Sequence, residues 1–353
     1  MTTTVDTEVK TTFVAGAITG VGKVELVDIP TPTPDFGEAL IRIEATAICT
    51  WEQRTYSGAQ SNKFPFIGGH EVAGTIVSFG PGYRGTLAIG DRVALGGSAC
   101  GSCHWCYTGK DRVCEMHYDG AVEYDAGWGP GGFAELKLHP ADGLFPIGDV
   151  PAEIGCLAEP LSCALHAARL SGAEVGQDVV ILGAGVMGLM NLIAMKKRGA
   201  RVIVSEVDAA RLAKAKAMGA DITIDASKQD PVAVVKELTD GRGADIVLAA
   251  IGHRVANEQG MQMIAQRGTF VVFASAHPET PIEVGPNSLH NNEQRVIGVV
   301  SSEKQDFYLA AKLIRQGQVD LTPLLQNRYP LSNLSGALDE AILPGTYRIV
   351  VES

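Results

Sequence analysis

Cys100, Cys103, Cys106 and Cys114 share one short segment with the spacing C-x2-C-x2-C-x7-C, a pattern suited to a tetrahedral metal held by four thiolates. The residues between them, among them Gly101, Ser102, His104, Trp105 and Gly109, carry no apolar period of a helix or strand, so the thiols gather in a loop. An all-thiolate set closes the coordination sphere. A zinc ion there holds structure rather than doing chemistry, and contributes on the order of 10 kcal/mol to local order. A pair of disulfides is the competing reading. The other cysteines, Cys49, Cys156 and Cys163, bring the total to an odd seven. Residues Met1 to Thr12 are polar and acidic, with neither the basic start nor the apolar core of a signal peptide, which points to a cytoplasmic protein and to the metal.

A second pattern binds phosphate. Gly183-Ala-Gly185-Val-Met-Gly188 follows the apolar run Val179 to Leu182 and opens a helical pattern, the context that gives G-x-G-x-x-G its meaning. Gly183 permits the tight turn, Gly185 lets a pyrophosphate approach the backbone, and Gly188 lets helix and strand pack closely. Val186 and Met187 then lie at the helix N-terminus, which faces the phosphates. Glu206 follows about eighteen residues past Gly188, where a carboxylate accepts hydrogen bonds from ribose hydroxyls and repels a 2'-phosphate, so NAD(H) is predicted over NADP(H). Arg211 is the opposing feature, because a guanidinium close by can accommodate that phosphate.

These groups need a scaffold, and 353 residues supply two domains' worth of chain. Apolar content of 46% and charged content of 20% describe a globular protein with ample material to bury. The net charge of -11 repels phosphate backbones and argues against a nucleic-acid partner. The longest apolar stretch, Val179 to Met195, is broken by Gly183, Gly185, Gly188 and Asn191, so no membrane span is expected. From about Thr11 to Pro140, short β-rich runs such as Ala39–Ile43 and Val72–Phe79 alternate with Gly and Pro turns, which suits an antiparallel, barrel-like domain. From about Gln177 the texture becomes strand and helix in alternation, through Val202–Ser205, Ile222–Ile224, Ile246–Ala249, Thr269–Phe273 and Arg295–Val300. Continuous apolar strands of this kind belong to a parallel sheet covered on both faces, a doubly wound α/β domain. The tail from Lys304 holds an amphipathic helix and the apolar run Tyr347–Val351, and is expected to return to the first domain. The predicted divisions are 1–162, 163–302 and 303–353.

Cys49, the triplet Gly69-His70-Glu71, and Glu159 in Ala158-Glu159-Pro160-Leu161-Ser162 are each unremarkable alone. Taken with the cysteine loop and the glycine fingerprint, in this order along essentially the whole chain, they resemble the zinc-dependent medium-chain dehydrogenases. Glu159-Pro160-Leu161-Ser162 is similar to the corresponding segment of the sorbitol and threonine dehydrogenase branch. The resemblance implies an α/β protein with a GroES-like β-rich catalytic domain plus a doubly wound Rossmann domain, and two zinc ions per chain. It makes Cys49 and His70 ligands of a catalytic zinc, with Glu71 and Glu159 both candidates for the third protein ligand. A mixed sulfur, nitrogen and oxygen site with one exchangeable position makes zinc a Lewis acid for an alcohol or carbonyl oxygen.

The chain departs from the family at the proton relay. The usual Ser or Thr two residues after the ligand cysteine is Trp51, and the His three residues later is Arg54. Thr50, Glu52 and Tyr56 are possible substitutes, each as readily read as packing or surface. An indole donates one hydrogen bond and shuttles no proton, so Trp51 reads as a wall of the substrate pocket. Ser275, Val300 and Ser301, at strand ends, are placed beside the nicotinamide by position. Arg295–Val300 resembles the family's edge strand, which pairs across a two-fold axis, so a homodimer or homotetramer is expected. The leading expectation is an NAD-dependent zinc dehydrogenase acting on a secondary hydroxyl of a polyol, sugar alcohol or cyclitol, or on the matching ketone. The alternatives are a biosynthetic reductase of an aldehyde or enal, and a non-catalytic zinc-binding relative.

Overall fold

The computed structural model describes residues 10–118 and 121–353. The chain divides into two compact units, one formed by the residues up to Ser162 with Glu303–Ser353, the other by Cys163–Ser302. Among the described residues no helix is long and apolar enough to cross a membrane.

The first unit is built on a seven-stranded sheet whose central strand is Glu38–Ala47. That strand pairs antiparallel with Glu71–Phe79, with Leu136–Pro140 and with the terminal strand Arg348–Glu352, while Leu325–Pro330 runs parallel beside the last. Ile41, Ile43, Ile76, Val93 and Leu136 fill one core, and Ile48, Phe66, Phe133, Leu334 and Ile349 a second. The register is what positions chemistry here. Ala47 stands opposite Glu71, and Val350 opposite Ala47, so the segment around Ile48 and Cys49 is flanked by Glu71 and by Arg348. The chain then turns directly into the helix Thr50–Ser57, with Cys49 as its N-cap. This helix lies inside the region whose texture pointed to strands and turns alone.

The second unit is a six-stranded parallel sheet with the spatial order Ile222–Asp225, Arg201–Glu206, Asp178–Leu182, Ala244–Ala249, Ile264–Val272, Arg295–Gly298. Numbered along the chain this is 3-2-1-4-5-6, the doubly wound order of dinucleotide-binding sheets. Asp178–Leu182 is buried at every position, as a central parallel strand must be when helices cover both faces. The helices Val186–Lys197, Ala209–Ala217, Pro231–Leu238 and Arg254–Met263 fall between successive strands. Asp208 and Asp230 cap two of them by accepting the backbone N–H of Arg211 and of Val232. The fold matches the expectation from texture; the sheet and helix bounds differ from it by a few residues at most places, chiefly because Ile264–Val272 begins five residues before Thr269.

Candidate functional site

Cys49, His70 and Glu71 offer one ligand atom each within 4.8 Å of one another. Sheet register explains the nearness of Cys49 and Glu71. Gly69 explains His70: its φ of +89° lies in the left-handed region, and a Cβ there would stand 2.6 Å from Thr46 Cγ2 and 2.9 Å from the backbone of Gly132. Only glycine turns the chain sharply enough to bring the imidazole in.

Two further residues complete the arrangement. Glu52 is 0% exposed, and its Oε1 lies 2.8 Å from His70 Nδ1 and accepts the Gly69 N–H at 3.0 Å. Its Oε2 accepts the Cys49 N–H at 3.1 Å. One carboxylate therefore fixes the imidazole and joins both ligand segments, leaving His70 Nε2 for a metal. Arg348, from the terminal strand, donates to Glu71 Oε1 and to the Ile48 carbonyl. Glu71 Oε2 is buried with no hydrogen-bond partner among the described residues.

The electrostatics follow from burial and these neighbours. Burial raises the Cys49 thiol, but Arg348 and His70 outweigh it and bring the group below its ordinary value. Burial would depress His70, yet the Glu52 carboxylate and the Cys49 sulfur hold it well above the usual imidazole range. Glu71 is driven well upward by burial, with Cys49 and Glu159 adding to the rise against the pull of Arg348. A thiol, an imidazole and a carboxylate crowded together in this way, one oxygen of the acid left without a donor, match the donor set of a divalent metal with sulfur, nitrogen and oxygen ligands.

Glu159 lies in the first turn of the helix Ala158–Ser171. It is outside the three-residue cluster but near enough to act electrostatically on Glu71 and Arg348. Of the possible relay substitutes, Thr50 is exposed, Tyr56 donates its hydroxyl to Asp339 at 2.7 Å, and Glu52 is committed to its three contacts. Sequence reasoning weighed Glu52 only as a relay substitute, not as the partner of His70 and Cys49, and passed over Arg348. Glu52 had a signal, since an acid three residues past a helix N-cap is the reciprocal half of a capping box. Arg348 had none.

The four loop cysteines also converge. Sulfur–sulfur separations are 3.6 Å for Cys103–Cys106, 3.8 Å for Cys103–Cys114 and 3.9 Å for Cys100–Cys106. Four sulfurs each about 2.3 Å from a tetrahedral zinc stand roughly 3.8 Å apart, whereas a disulfide would need about 2.05 Å. All are free thiols. Donation from the backbone and hydroxyl of Ser102 lowers Cys100 to about 6, which favours the thiolate. The lobe is clasped to the helix Lys304–Arg315 in both directions: the Arg112 N–H donates to Glu303 at 2.7 Å and the Lys304 N–H to Asp111 at 2.6 Å.

In the second unit, Gly183 has a φ of +98°, and Gly185 caps the helix Val186–Lys197, whose first turn holds Met187. A Cβ on Gly188 would stand 2.0 Å from the Gly183 carbonyl oxygen, so the strand–turn–helix exists only with glycine there. Beside Gly185 the space is open; among the described residues other than its chain neighbours, Arg211 Nη1, at 4.0 Å, is the nearest to the site of a Cβ. Glu206 is 9% exposed, with Oε2 accepting the Ala184 N–H at 2.8 Å and Oε1 the Val207 N–H at 2.7 Å and the Asp208 N–H at 3.2 Å. Arg211 Nη1 lies 4.0 Å from its Oε2. An open glycine cradle at a helix N-terminus, with a carboxylate at the next strand end, fits a dinucleotide. Ser275 and Val300 follow the carboxyl ends of the strands Ile264–Val272 and Arg295–Gly298, the same end of the parallel sheet as the glycine turn. Val300 is exposed, and Ser301 adopts a φ of +57°.

Comparison with known proteins agrees with this geometry. Residues 35–149 match the model of the alcohol dehydrogenase GroES-like domain and residues 186–316 that of the zinc-binding dehydrogenases. The chain is 34% identical to the L-threonine 3-dehydrogenase of Pyrococcus horikoshii, over 86% of this chain and 88% of that protein. It is 32% identical to the sorbitol dehydrogenase of Halalkalibacterium halodurans, over 89% and 91%. A Sinorhizobium meliloti 1021 protein solved bound to NADP superposes with a TM-score of 0.86 at 27% identity, covering 98% of this chain and all of that one.

Proposed function

This chain belongs to the zinc-dependent medium-chain dehydrogenases, and on that premise we propose that it transfers a hydride between NAD(H) and a secondary alcohol or its ketone, the substrate being a polyol, sugar alcohol or cyclitol. The observation that carries the reading is the convergence of Cys49, His70 and Glu71, with Glu71 Oε2 left without a donor. A binding-only relative has no need of such a set.

Cys49, His70 and Glu71 hold the catalytic ion in this reading, and the four loop cysteines hold the structural one. When bound, the catalytic zinc supplies Lewis acidity to the substrate oxygen. The protein's own part is positional. Glu52 orients His70 and fastens its segment to that of Cys49. Arg348 balances Glu71 and so keeps a buried acid available beside a thiolate. The helix N-terminus at Gly185 to Gly188 receives the pyrophosphate, and Glu206 receives the ribose hydroxyls, which favours NAD(H). Glu159 is the acid left to accept the alcohol's proton, because the Trp51 N–H only donates. Glu159→Gln is expected to lower kcat for oxidation.

NADH absorbance, followed with both NAD+ and NADP+ against polyols, cyclitols and simple alcohols, tests the proposal together with a metal count. Two zinc ions per chain and NAD-dependent oxidation are expected. Turnover that survives exhaustive chelation would overturn it. Trp51 in place of the relay hydroxyl supports a second reading, hydride delivery to the β-carbon of an enal, where no oxygen proton need be moved. Saturation of an enal's carbon–carbon bond with no alcohol oxidation would favour it.

A further inference from the structure

Trp51 stands two residues after Cys49, in the first turn of the helix Thr50–Ser57. Its ring centroid is 5.7 Å from that of His70 and 5.2 Å from that of Phe66, which it meets edge-on at 65°. Phe66 is fully buried and meets Trp128 at 5.4 Å in the same edge-on manner. The Trp128 N–H is spent on the Lys63 carbonyl at 2.8 Å. Trp51 differs: it is half-buried, and its indole N–H donates to none of the described residues. An indole held still by packing thus offers an apolar ring and one unspent donor beside the imidazole of the metal-ligating cluster.

We propose that Trp51 is a specificity-determining residue that selects cyclic polyols over open-chain ones, the C–H face of a saturated ring lying on the indole while a ring hydroxyl accepts from Nε1. The inference rests on the hydride-transfer reading above and narrows its substrate class. Indole combines an apolar body with a polar edge, and a polyhydroxylated ring presents the same combination in reverse. A ring brings its C–H groups into one face at no cost in internal rotation. An open-chain polyol must be frozen to do so, and that ordering is subtracted from its binding. An aromatic alcohol stacks but leaves the indole donor unanswered. Oxidation balances as it does for any secondary alcohol: the carbinol C–H bond breaks with its electron pair passing to the nicotinamide of NAD+, the hydroxyl proton passes to Glu159 and from there to solvent, and C=O forms.

The test compares inositol with sorbitol, matched in carbons and hydroxyls, on the holoenzyme with NAD+. Wild-type kcat/KM is expected to favour inositol by about tenfold or more, and Trp51→Ala to abolish the preference through KM, with kcat held within about twofold. Trp51→Phe keeps an aromatic face and guards against a misfolded alanine variant; part of the preference should survive in it. The second readout is tryptophan fluorescence without cofactor, which inositol should quench saturably in the wild type and not in Trp51→Phe. Equal use of both hexols, a preference for benzyl alcohol over both, or a preference unchanged in Trp51→Ala overturns the proposal and leaves the dehydrogenase reading standing. Quenching by inositol with no oxidation of any alcohol does the opposite, and neither quenching nor oxidation removes both.

Discussion

His70 Nδ1 lies 2.8 Å from Oε1 of Glu52, and the same carboxylate accepts the backbone N–H groups of Gly69 and Cys49. Two ligand segments far apart in sequence are therefore fastened by one buried acid. Glu52→Ala is expected to cost about 10–100-fold in affinity at the cluster, the usual loss when a metal-ligating histidine loses its orienting partner. Competition with a chelator of known affinity measures it. A variant that kept its metal in full and lost most of its turnover would assign Glu52 to proton transfer instead.

Arg348 and Glu71 form a buried ion pair, 4% and 0% exposed. Arg348→Met strands the acid and should destabilise the β-rich unit by about 3–5 kcal/mol. Adding Glu71→Gln should recover part of the loss, because no charge is then left unpaired. Urea denaturation of the two variants against the wild type decides the point, and equal midpoints for single and double variants would refute the coupling.

Glu206 already accepts three backbone N–H groups, two of them on Oε1, yet Oε2 keeps a lone pair for a ribose hydroxyl. Glu206→Gln should raise the KM for NAD+ by roughly tenfold, since a hydrogen bond to a charged acceptor contributes about 1.5–3 kcal/mol. The ratio of NAD+ to NADP+ use should fall with it, because Arg211 then faces no opposing charge. Kinetics with both cofactors read this directly.

Burial, aided by the charge of nearby Lys137, pushes His139 down to about 3. The neutral ring sits 2.9 Å from the Gly96 carbonyl. In the unfolded chain the imidazole takes up its proton near pH 6.5 and in the folded chain only near 3, so stability is full above 6.5 and falls as pH drops through that window. The slope is about 1.4 kcal/mol per pH unit. His139→Gln should flatten it, and the difference between wild type and variant in denaturation at pH 7 and pH 5 is the measurement. Parallel curves would show that His139 titrates alike in both states.

What was legible in the sequence were features carried by short spacing. The four cysteines, the glycines Gly183, Gly185 and Gly188 around the start of Val186–Lys197, and the apolar strands of the second unit announce themselves locally, because turn geometry and sheet burial act over a few residues. The three-residue cluster did not. Cys49 and His70 are brought together by strand register and by the turn at Gly69, and only resemblance to a family marked them. Arg348 meets Glu71 across 277 residues of chain, and no local pattern could report that. Glu52 was ambiguous because a short polar helix after a cysteine does not reveal which face is covered.

The clasp of Arg348 on Glu71 and on the carbonyl before Cys49 also sets an order of events. Synthesis delivers Cys49, His70 and Glu71 first, and the guanidinium that balances them follows 277 residues after Glu71. At about 5–20 residues per second that is roughly 15–55 s, ample time for the entire parallel sheet to emerge and fold. The β-rich unit must meanwhile wait half made, with a bare thiol and an uncompensated acid. Until that strand arrives, Glu71 and the Ile48 carbonyl lack the guanidinium that donates to both in the folded chain.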